Sequence, residues 1–224
     1  MEPYTPILPF DVVSDQLGHA PEDIIKLDAN ENPYGPSPKV REALANVRYA
    51  HIYPDPESRA LRAHLAAFTG IPEENLLAGP GADDLIDLTM RLFIQPGDGV
   101  ISCPPTFGMY PFDADINCAT LISIPRGEDF SLDLAAIERA AAGHPRPKLL
   151  FVASPNNPDG SWVSDADLER LLTLPTVLVL DEAYVEFSGI EGIPGMARSR
   201  IRQVCERDNL IVLRTFSKLA ALAG

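Results

Sequence analysis

The residues Val177-Leu178-Val179-Leu180 form an apolar run in which hydrophobic side chains do not alternate with polar ones. A strand with this pattern is typically buried on both faces, as in a parallel sheet covered by helices. Hydrophobic periodicity predicts further strands along the chain, with helices between them. The predicted strands are residues 75–78, 99–103, 120–124, 149–153, 176–180 and 210–214, and the predicted helices are residues 82–94, 107–115, 133–142, 165–173 and 195–207. We therefore expect an α/β fold with a mostly parallel sheet sandwiched by helices.

The chain divides into three segments by proline content and periodicity. Residues 1–37 are rich in proline and predict an irregular N-terminal arm that lies on another part of the protein. Residues 38–70 have helical spacing, with Leu61, Leu65 and Phe68 on one stripe and Gly70 as a stop signal. Residues 71–224 carry the alternating pattern, and we expect them to form the large domain.

Charge and cysteine content exclude several classes of protein. The chain has 32 acidic and 18 basic residues, and a net charge of −14 argues against binding to nucleic acid or to an anionic membrane. Its three cysteines are far apart and its four histidines lack ligand spacing, so neither a metal site nor a disulfide framework is predicted. The first residues lack a signal-peptide pattern, and no apolar run approaches the roughly 20 residues of a membrane span. We expect a soluble, cytoplasmic protein.

Polar and reactive side chains follow the predicted strands, where ligands bind in open parallel sheets. The turn Gly79-Pro80-Gly81 leads into a helix whose free N–H groups suit a phosphate, although a plain strand-to-helix turn has the same pattern. Phe107 or Tyr110 could present a flat face to a planar ligand or could pack in the core. Asn157 follows the fourth predicted strand, Asp181 the fifth and Lys218 the sixth, and each alone also fits a solvated loop.

Taken together, these groups suit pyridoxal phosphate. An aldehyde needs an amine to react with, a pyridine nitrogen needs a carboxylate to remain protonated, and a phosphate needs N–H and hydroxyl donors. A nicotinamide-binding Rossmann protein shares the alternating pattern. It would need glycine where Asp84 stands, and it leaves Lys218 and Asn157 without a role.

Six motifs across the whole chain resemble the histidinol-phosphate aminotransferase family of fold-type I pyridoxal-phosphate enzymes. They are LDANENPYGP at residues 27–36, YPD at 53–55, PTFGMY at 105–110, SPNNP at 154–158, DEAY at 181–184 and TFSK at 215–218. The asparagine, aspartate and lysine are shared by the superfamily. The arm motif and the YPD motif narrow the resemblance to this family and its aromatic-aminotransferase relatives.

The resemblance implies a role for each site residue. Lys218 would bond covalently to the cofactor and carry the proton between Cα and C4′, and Asp181 would face the pyridine nitrogen. Asn157 and Tyr184 would hydrogen-bond the phenolic oxygen, and Tyr110 would stack on the ring. The residues expected to hold the cofactor phosphate are Ala82, Asp83, Thr215 and Ser217.

The resemblance also implies a homodimer and a substrate site. Tyr53 would reach the phosphate of the cofactor in the neighbouring subunit, and the arm around Asn30 and Tyr34 would close over the substrate. The implied reaction exchanges an amino group between histidinol phosphate and the glutamate/2-oxoglutarate pair. An aromatic-amino-acid aminotransferase, a related pyridoxal-phosphate lyase or decarboxylase, and a non-catalytic truncated fragment remain alternatives.

The sequence departs from the family pattern in three places. Asp159 replaces a threonine, a change that we expect to be tolerated because the turn depends on Pro158 and Gly160. Leu219 and the alanines after it replace a segment that often contains an aromatic residue. Family members also continue well beyond residue 224, through a phosphate-binding arginine, another strand and a small C-terminal domain. We therefore expect a large domain that is incomplete at its C-terminus, and a chain that is inactive alone.

Overall fold

The computed structural model describes residues 7–189 and 195–223, which form a sheet flanked by helices. The helices are α1 (Phe10–Leu17), α2 (Pro38–Ala45), α3 (Arg59–Thr69), α4 (Ala82–Phe93), α5 (Met109–Ile116), α6 (Leu134–Ala141) and α7 (Asp165–Leu172). The strands are β1 (Gly99–Ser102), β2 (Thr120–Ser123), β3 (Pro147–Ala153), β4 (Val177–Asp181) and β5 (Leu210–Leu213). Among the described residues, no helix is long and apolar enough to cross a membrane.

The five strands pair in the order β2-β1-β3-β4-β5, and every pairing is parallel. The α/β fold predicted from the sequence is confirmed. Ala153 pairs with Asp181, and Asp181 pairs with Leu213, so β3, β4 and β5 end at the same edge of the sheet. The ends of these three strands therefore lie side by side, with Asp181 as the last residue of β4 and with Asn157 and Lys218 in the loops after β3 and β5.

The strands β1, β3 and β4 are buried on both faces, which explains their non-alternating apolar runs, whereas the edge strand β2 is mostly exposed. Leu150 and Leu178 belong to one core cluster, beneath α6 and α7. Their neighbours Phe151 and Val179 belong to the cluster on the opposite face, beneath α4 and α5. Because successive side chains of a strand point to opposite faces, most positions of a doubly covered strand are apolar.

Two predicted elements are wrong. Residues 75–78 do not form a strand: Glu73–Asn75 is a 3₁₀ helix, and Leu76 is extended but pairs with no strand among the described residues. Extended backbone becomes a strand only when another strand accepts its hydrogen bonds, and local sequence does not specify that partner. The predicted helix 195–207 is two 3₁₀ helices, Gly195–Arg198 and Ile201–Cys205.

The break in this second element has a local cause. The Glu182 carboxylate accepts hydrogen bonds from the Ser199 hydroxyl and, at 2.6 Å, from the Arg200 backbone N–H. Ser199 and Arg200, the two residues between the 3₁₀ helices, are thus hydrogen-bonded to the loop after β4. A continuous helix would require that N–H to bond to a carbonyl four residues earlier.

The N-terminal arm is less irregular than its proline content predicts. It contains α1, which follows Pro9 and ends at Gly18 in the left-handed conformation. The prolines flank this helix and do not interrupt it, so the proline content of the segment does not reveal the helix. In contrast, α2 and α3 confirm the predicted helical segment, but Leu44 and Phe68 on their apolar faces are exposed. The division into residues 1–37, 38–70 and 71–224 remains a prediction.

Candidate functional site

A cavity of about 750 Å³ opens at the carboxyl edge of the sheet. The N-terminus of α4, the segment leading into α5 and the loops after β3, β4 and β5 line it. The ligand-binding side chains predicted from the sequence lie in these segments, which follow the predicted strands. The predicted site residues on its wall are Ala82, Asp83, Asn157, Asp181, Tyr184, Thr215, Ser217 and Lys218.

Asp181 is the last residue of β4 and is only 5% exposed. Its Oδ2 accepts a hydrogen bond from the Tyr110 hydroxyl at 2.6 Å, and its Oδ1 accepts one from the Ala183 backbone N–H at 2.9 Å. Burial raises the pKa of Asp181 above its ordinary value, and these two hydrogen bonds oppose that rise. A carboxylate held in this way favours a cationic or N–H group in the cavity.

Tyr110 does not face the cavity, where the family resemblance implies that it would stack on the cofactor ring. It is fully buried and is not part of the cavity wall. Its ring stacks on Phe151 at 4.9 Å between centroids, behind Asp181. Phe107 lines the cavity instead. Phe107 precedes α5 whereas Tyr110 lies in its first turn, so the start of the helix turns Tyr110 toward the sheet.

The start of α4 provides a cradle for an anion. Gly81 has φ +96° and ψ 176°, a conformation that is accessible essentially only to glycine, and it turns the chain into the helix. No side chain caps this helix start in the described part of the chain, so its first N–H groups are free for a ligand. Thr215 and Ser217 line the same cavity, and the Thr215 hydroxyl donates a hydrogen bond to the Ser217 hydroxyl at 2.8 Å. These two donors and the helix N-terminus suit a phosphate.

Lys218 lies at the junction of the cavity with the N-terminal arm. Its Nζ donates a long hydrogen bond, 3.4 Å, to the Ala29 carbonyl and lies 5.6 Å from the ring centroid of Tyr184. Lys26, in contrast, forms ion pairs with Asp28 at 2.9 Å and Glu31 at 3.3 Å. Of these two amines, only that of Lys218 is on the cavity wall.

The arm contacts the loops that line the site. The Asn30 side-chain amide donates to the Tyr184 hydroxyl at 3.2 Å, and the Asn32 amide donates to the Leu219 carbonyl at 3.0 Å. A second cavity of about 710 Å³ lies beneath the arm. Its wall includes Asn30 and Tyr34, and it shares Asn157, Tyr184 and Lys218 with the first cavity.

Two residues of this second cavity carry no signal in the sequence. The Arg198 guanidinium lies 3.5 Å from the centroid of the Trp162 ring, and both side chains line the cavity wall. They are 36 positions apart, Trp162 in the loop after β3 and Arg198 at the end of a 3₁₀ helix, so no motif or periodicity brings them together. A cation stacked on an indole at a cavity wall can contact an anionic ligand.

The turn after β3 is held by hydrogen bonds of Asn156 and Asp159. Asn156, not Asn157, is fixed within the turn, because its amide donates to the Pro105 carbonyl at 3.1 Å and its Oδ1 accepts from Thr106. The Asp159 carboxylate accepts a hydrogen bond from the Ser161 N–H at 2.9 Å. Asp159 therefore contributes to the turn, and Asn157 is left facing both cavities.

Tyr53 is not brought to the site within one chain. Its side chain is 98% exposed and lines neither cavity. Its predicted contact is with a second subunit, so this role remains a prediction. Among the described residues, no group of three or more histidine, cysteine, aspartate or glutamate side chains could hold a metal ion.

Comparison with known proteins places this geometry in a family. The family model described as aminotransferase class I and II matches residues 22–224. A chloroplastic histidinol-phosphate aminotransferase from Nicotiana tabacum is 57% identical over 224 residues, which are 100% of this chain and 52% of the relative. A histidinol-phosphate aminotransferase from Roseiflexus castenholzii is 50% identical over 100% of this chain and 59% of its own length. The chain thus spans between half and three fifths of these relatives.

The fold has a matching solved structure. The crystal structure of histidinol-phosphate aminotransferase from Sinorhizobium meliloti in complex with pyridoxal-5'-phosphate superposes with a TM-score of 0.82. Sequence identity with it is 29%, and the match covers 98% of this chain and 58% of that one.

Proposed function

This chain belongs to the class I and II aminotransferases, and we propose that it is the cofactor-binding part of an enzyme that binds pyridoxal phosphate and transfers an amino group from histidinol phosphate to 2-oxoglutarate. The observation that carries the proposal is a single cavity walled by Asp181, by Lys218 and by the N-terminus of α4. The names of the relatives support the substrate, since those from Nicotiana tabacum and Roseiflexus castenholzii are both histidinol-phosphate aminotransferases.

The residues present fit pyridoxal phosphate. The uncapped N-terminus of α4, with Thr215 and Ser217 on the wall of the same cavity, offers donors to the phosphate. Asp181 lies at the buried end of the same cavity, where a carboxylate stabilises a protonated pyridine nitrogen. Bound pyridoxal phosphate supplies an aldehyde and an electron-accepting ring. Phe107, which lines the cavity, replaces Tyr110 as the residue that we propose to stack on that ring.

Lys218 is the proposed catalytic amine. Its Nζ lies near the Tyr184 ring and bonds only weakly to the Ala29 carbonyl, so it can move within the site. We assign to it the covalent attachment of the cofactor and the movement of a proton between substrate Cα and cofactor C4′. Asn157 and Tyr184, on both cavity walls, are proposed to donate hydrogen bonds to the phenolic oxygen.

The second cavity is the proposed entry for the amino donor. Asn30 and Tyr34 of the arm form one side of it, and Lys218 lies where it joins the first cavity. Trp162 and Tyr184 on the wall of this cavity also suit an aromatic-amino-acid substrate, so an aromatic aminotransferase or a related lyase or decarboxylase is the competing activity. Homodimerisation, with Tyr53 contacting the second subunit, and a cytoplasmic location are also proposals. The Nicotiana tabacum relative is named chloroplastic.

The experiment is a single-turnover assay of the 224-residue chain supplied with pyridoxal phosphate and 2-oxoglutarate. Histidinol phosphate, tyrosine and phenylalanine are offered separately as donors, with the Nicotiana tabacum enzyme as the positive control. Transfer mainly from histidinol phosphate supports the proposal, whereas faster transfer from tyrosine or phenylalanine identifies the competing activity. Cofactor binding without transfer from any donor identifies a non-catalytic fragment.

A further inference from the structure

We infer that Tyr110 is a positioning residue that fixes the orientation and the negative charge of Asp181. This inference rests on the proposed function, in which Asp181 faces the pyridine nitrogen of the cofactor. The contact that carries it is the 2.6 Å hydrogen bond from the Tyr110 hydroxyl to Asp181 Oδ2. Tyr110 is fully buried and Asp181 is 5% exposed, so little water can replace this donor.

The Tyr110 ring is held in place by aromatic contacts on two sides. It stacks on Phe151 of β3, with centroids 4.9 Å apart and planes 23° apart. It also meets Phe107 edge to face, with centroids 5.6 Å apart and planes 82° apart. The hydroxyl is therefore directed at Asp181 by packing that does not depend on a ligand.

Each Asp181 oxygen has its own donor within the protein. Oδ2 accepts from Tyr110, and Oδ1 accepts from the Ala183 N–H at 2.9 Å. Two donors on opposite oxygens fix the plane of the carboxylate, while Asp181 remains part of the cavity wall. Loss of the Tyr110 donor would leave Oδ2 buried without this partner and the carboxylate free to rotate.

The environment of Tyr110 and Asp181 keeps the Tyr110 hydroxyl protonated. Burial raises the pKa of Asp181, and the charge of Asp83 at the start of α4 raises it further. The hydrogen bonds from Tyr110 and Ala183 and the charge of Lys218 lower it. Burial and the neighbouring carboxylate raise the pKa of Tyr110 well above its ordinary value, and Arg126 opposes this rise. The hydroxyl therefore keeps its proton and remains a donor at neutral pH.

The test compares Tyr110→Phe with Tyr49→Phe. Tyr110→Phe keeps the stacked ring and removes only the hydroxyl, and Tyr49 is an exposed tyrosine outside both cavities. The first readout is the carboxyl ¹³C titration of Asp181 in the cofactor-free chain, with the signal assigned by its loss in Asp181→Asn. We expect Tyr110→Phe to raise the titration midpoint by about one pH unit, a tenfold change in proton affinity. Tyr49→Phe should leave the midpoint unchanged.

The second readout is the affinity for pyridoxal phosphate as a function of pH. Protonation of Asp181 removes the negative charge that faces the pyridine nitrogen, so affinity should fall as pH falls through the Asp181 midpoint. In Tyr110→Phe this fall should occur at higher pH than in the unaltered chain. An unchanged Asp181 midpoint together with an unchanged affinity profile would overturn the inference.

The two proposals fail in different ways. If the unaltered chain does not bind pyridoxal phosphate, the proposed function fails, while the Asp181 midpoint in the cofactor-free chain still decides whether Tyr110 acts on the carboxylate. If Tyr110→Phe does not fold, site-specific incorporation of 3,5-difluorotyrosine at position 110 replaces it. This residue keeps the ring and has a more acidic hydroxyl, so it should lower the Asp181 midpoint. A midpoint unaffected by the fluorines would contradict the inference.

Discussion

The side-chain amide of Asn30 donates a hydrogen bond to the hydroxyl of Tyr184 at 3.2 Å, and this bond joins residues 154 positions apart. It ties the N-terminal arm to the loop after β4, directly beside Lys218. The Asn32 amide makes a second tie, to the Leu219 carbonyl. The arm and the loop that carries Lys218 are thereby held together.

Asn30→Ala should loosen the arm. An exposed hydrogen bond contributes about 0.5–1.5 kcal/mol, so local opening of the arm should become roughly 2–10 times more frequent. Hydrogen exchange of the peptide covering residues 27–36 measures this opening. Asn46→Ala is the control for loss of a side-chain amide, because the Asn46 amide bonds to the Glu42 carbonyl within its own helix end, and Asn30→Gly shows how much of the effect comes from the positive φ of Asn30. Equal exchange in Asn30→Ala and Asn46→Ala would show that the bond to Tyr184 does not hold the arm.

Gly81→Ala should destabilise the chain by about 1–3 kcal/mol, because Gly81 has φ +96° and ψ 176°. The control is Gly108→Ala, at φ −70° and ψ −13°. In neither case would an added Cβ meet an atom within 4 Å, so the pair separates backbone strain from crowding. Urea unfolding should show a change within about 0.5 kcal/mol for Gly108→Ala. A similarly small change for Gly81→Ala would refute the strain at this turn.

Asp113→Asn should stabilise the chain at neutral pH. Asp113 is 4% exposed, its Oδ2 has no hydrogen-bond partner, and burial together with the charges of Asp87 and Asp83 raises its pKa to about 6. Because the folded-state pKa is above the ordinary value of 3.8, the folded chain binds more protons between those values and loses stability as pH rises through them.

We expect Asp113→Asn to raise the free energy of unfolding by about 1–2 kcal/mol at pH 8. The gain should shrink as pH falls from about 6 towards 3.8 and disappear below that value, where Asp113 becomes protonated in both states. Asp115→Asn, an exposed neighbour, is the control. A gain that does not depend on pH would show that the ionisation of Asp113 is not its source.

Asp181→Asn should weaken catalysis far more than folding. The substitution removes a buried negative charge, so the free energy of unfolding at pH 8 should stay the same or rise. Electrostatic stabilisation of this kind contributes about 3 kcal/mol or more, so turnover should fall roughly 100-fold or more. The two measurements are urea unfolding and single-turnover amino transfer, the second made on this chain extended to the full length of its relatives, because the 224 residues alone are expected to be inactive. Near-normal turnover would exclude the role proposed for this carboxylate.

The sequence predicted the site best where a local strand pattern and the parallel arrangement of the strands together determine the position of a residue. Asp181 and Lys218 could be assigned to one edge because each follows an apolar run, and parallel strands bring such ends together. Residues 75–78 could not be assigned correctly, because the pairing of an extended segment depends on a distant partner. Phe107 and Tyr110 were indistinguishable for a similar reason: the position at which α5 begins decides which ring faces the cavity.

The most direct test of the central claim is to find where pyridoxal phosphate attaches. The chain is incubated with the cofactor, reduced with sodium borohydride, digested and analysed by peptide mass spectrometry. The account predicts a pyridoxyl group on Lys218 and its loss in Lys218→Ala, with Lys39→Ala as the control. A pyridoxyl group found mainly on Lys26, Lys39 or Lys148 would contradict the assignment of the site.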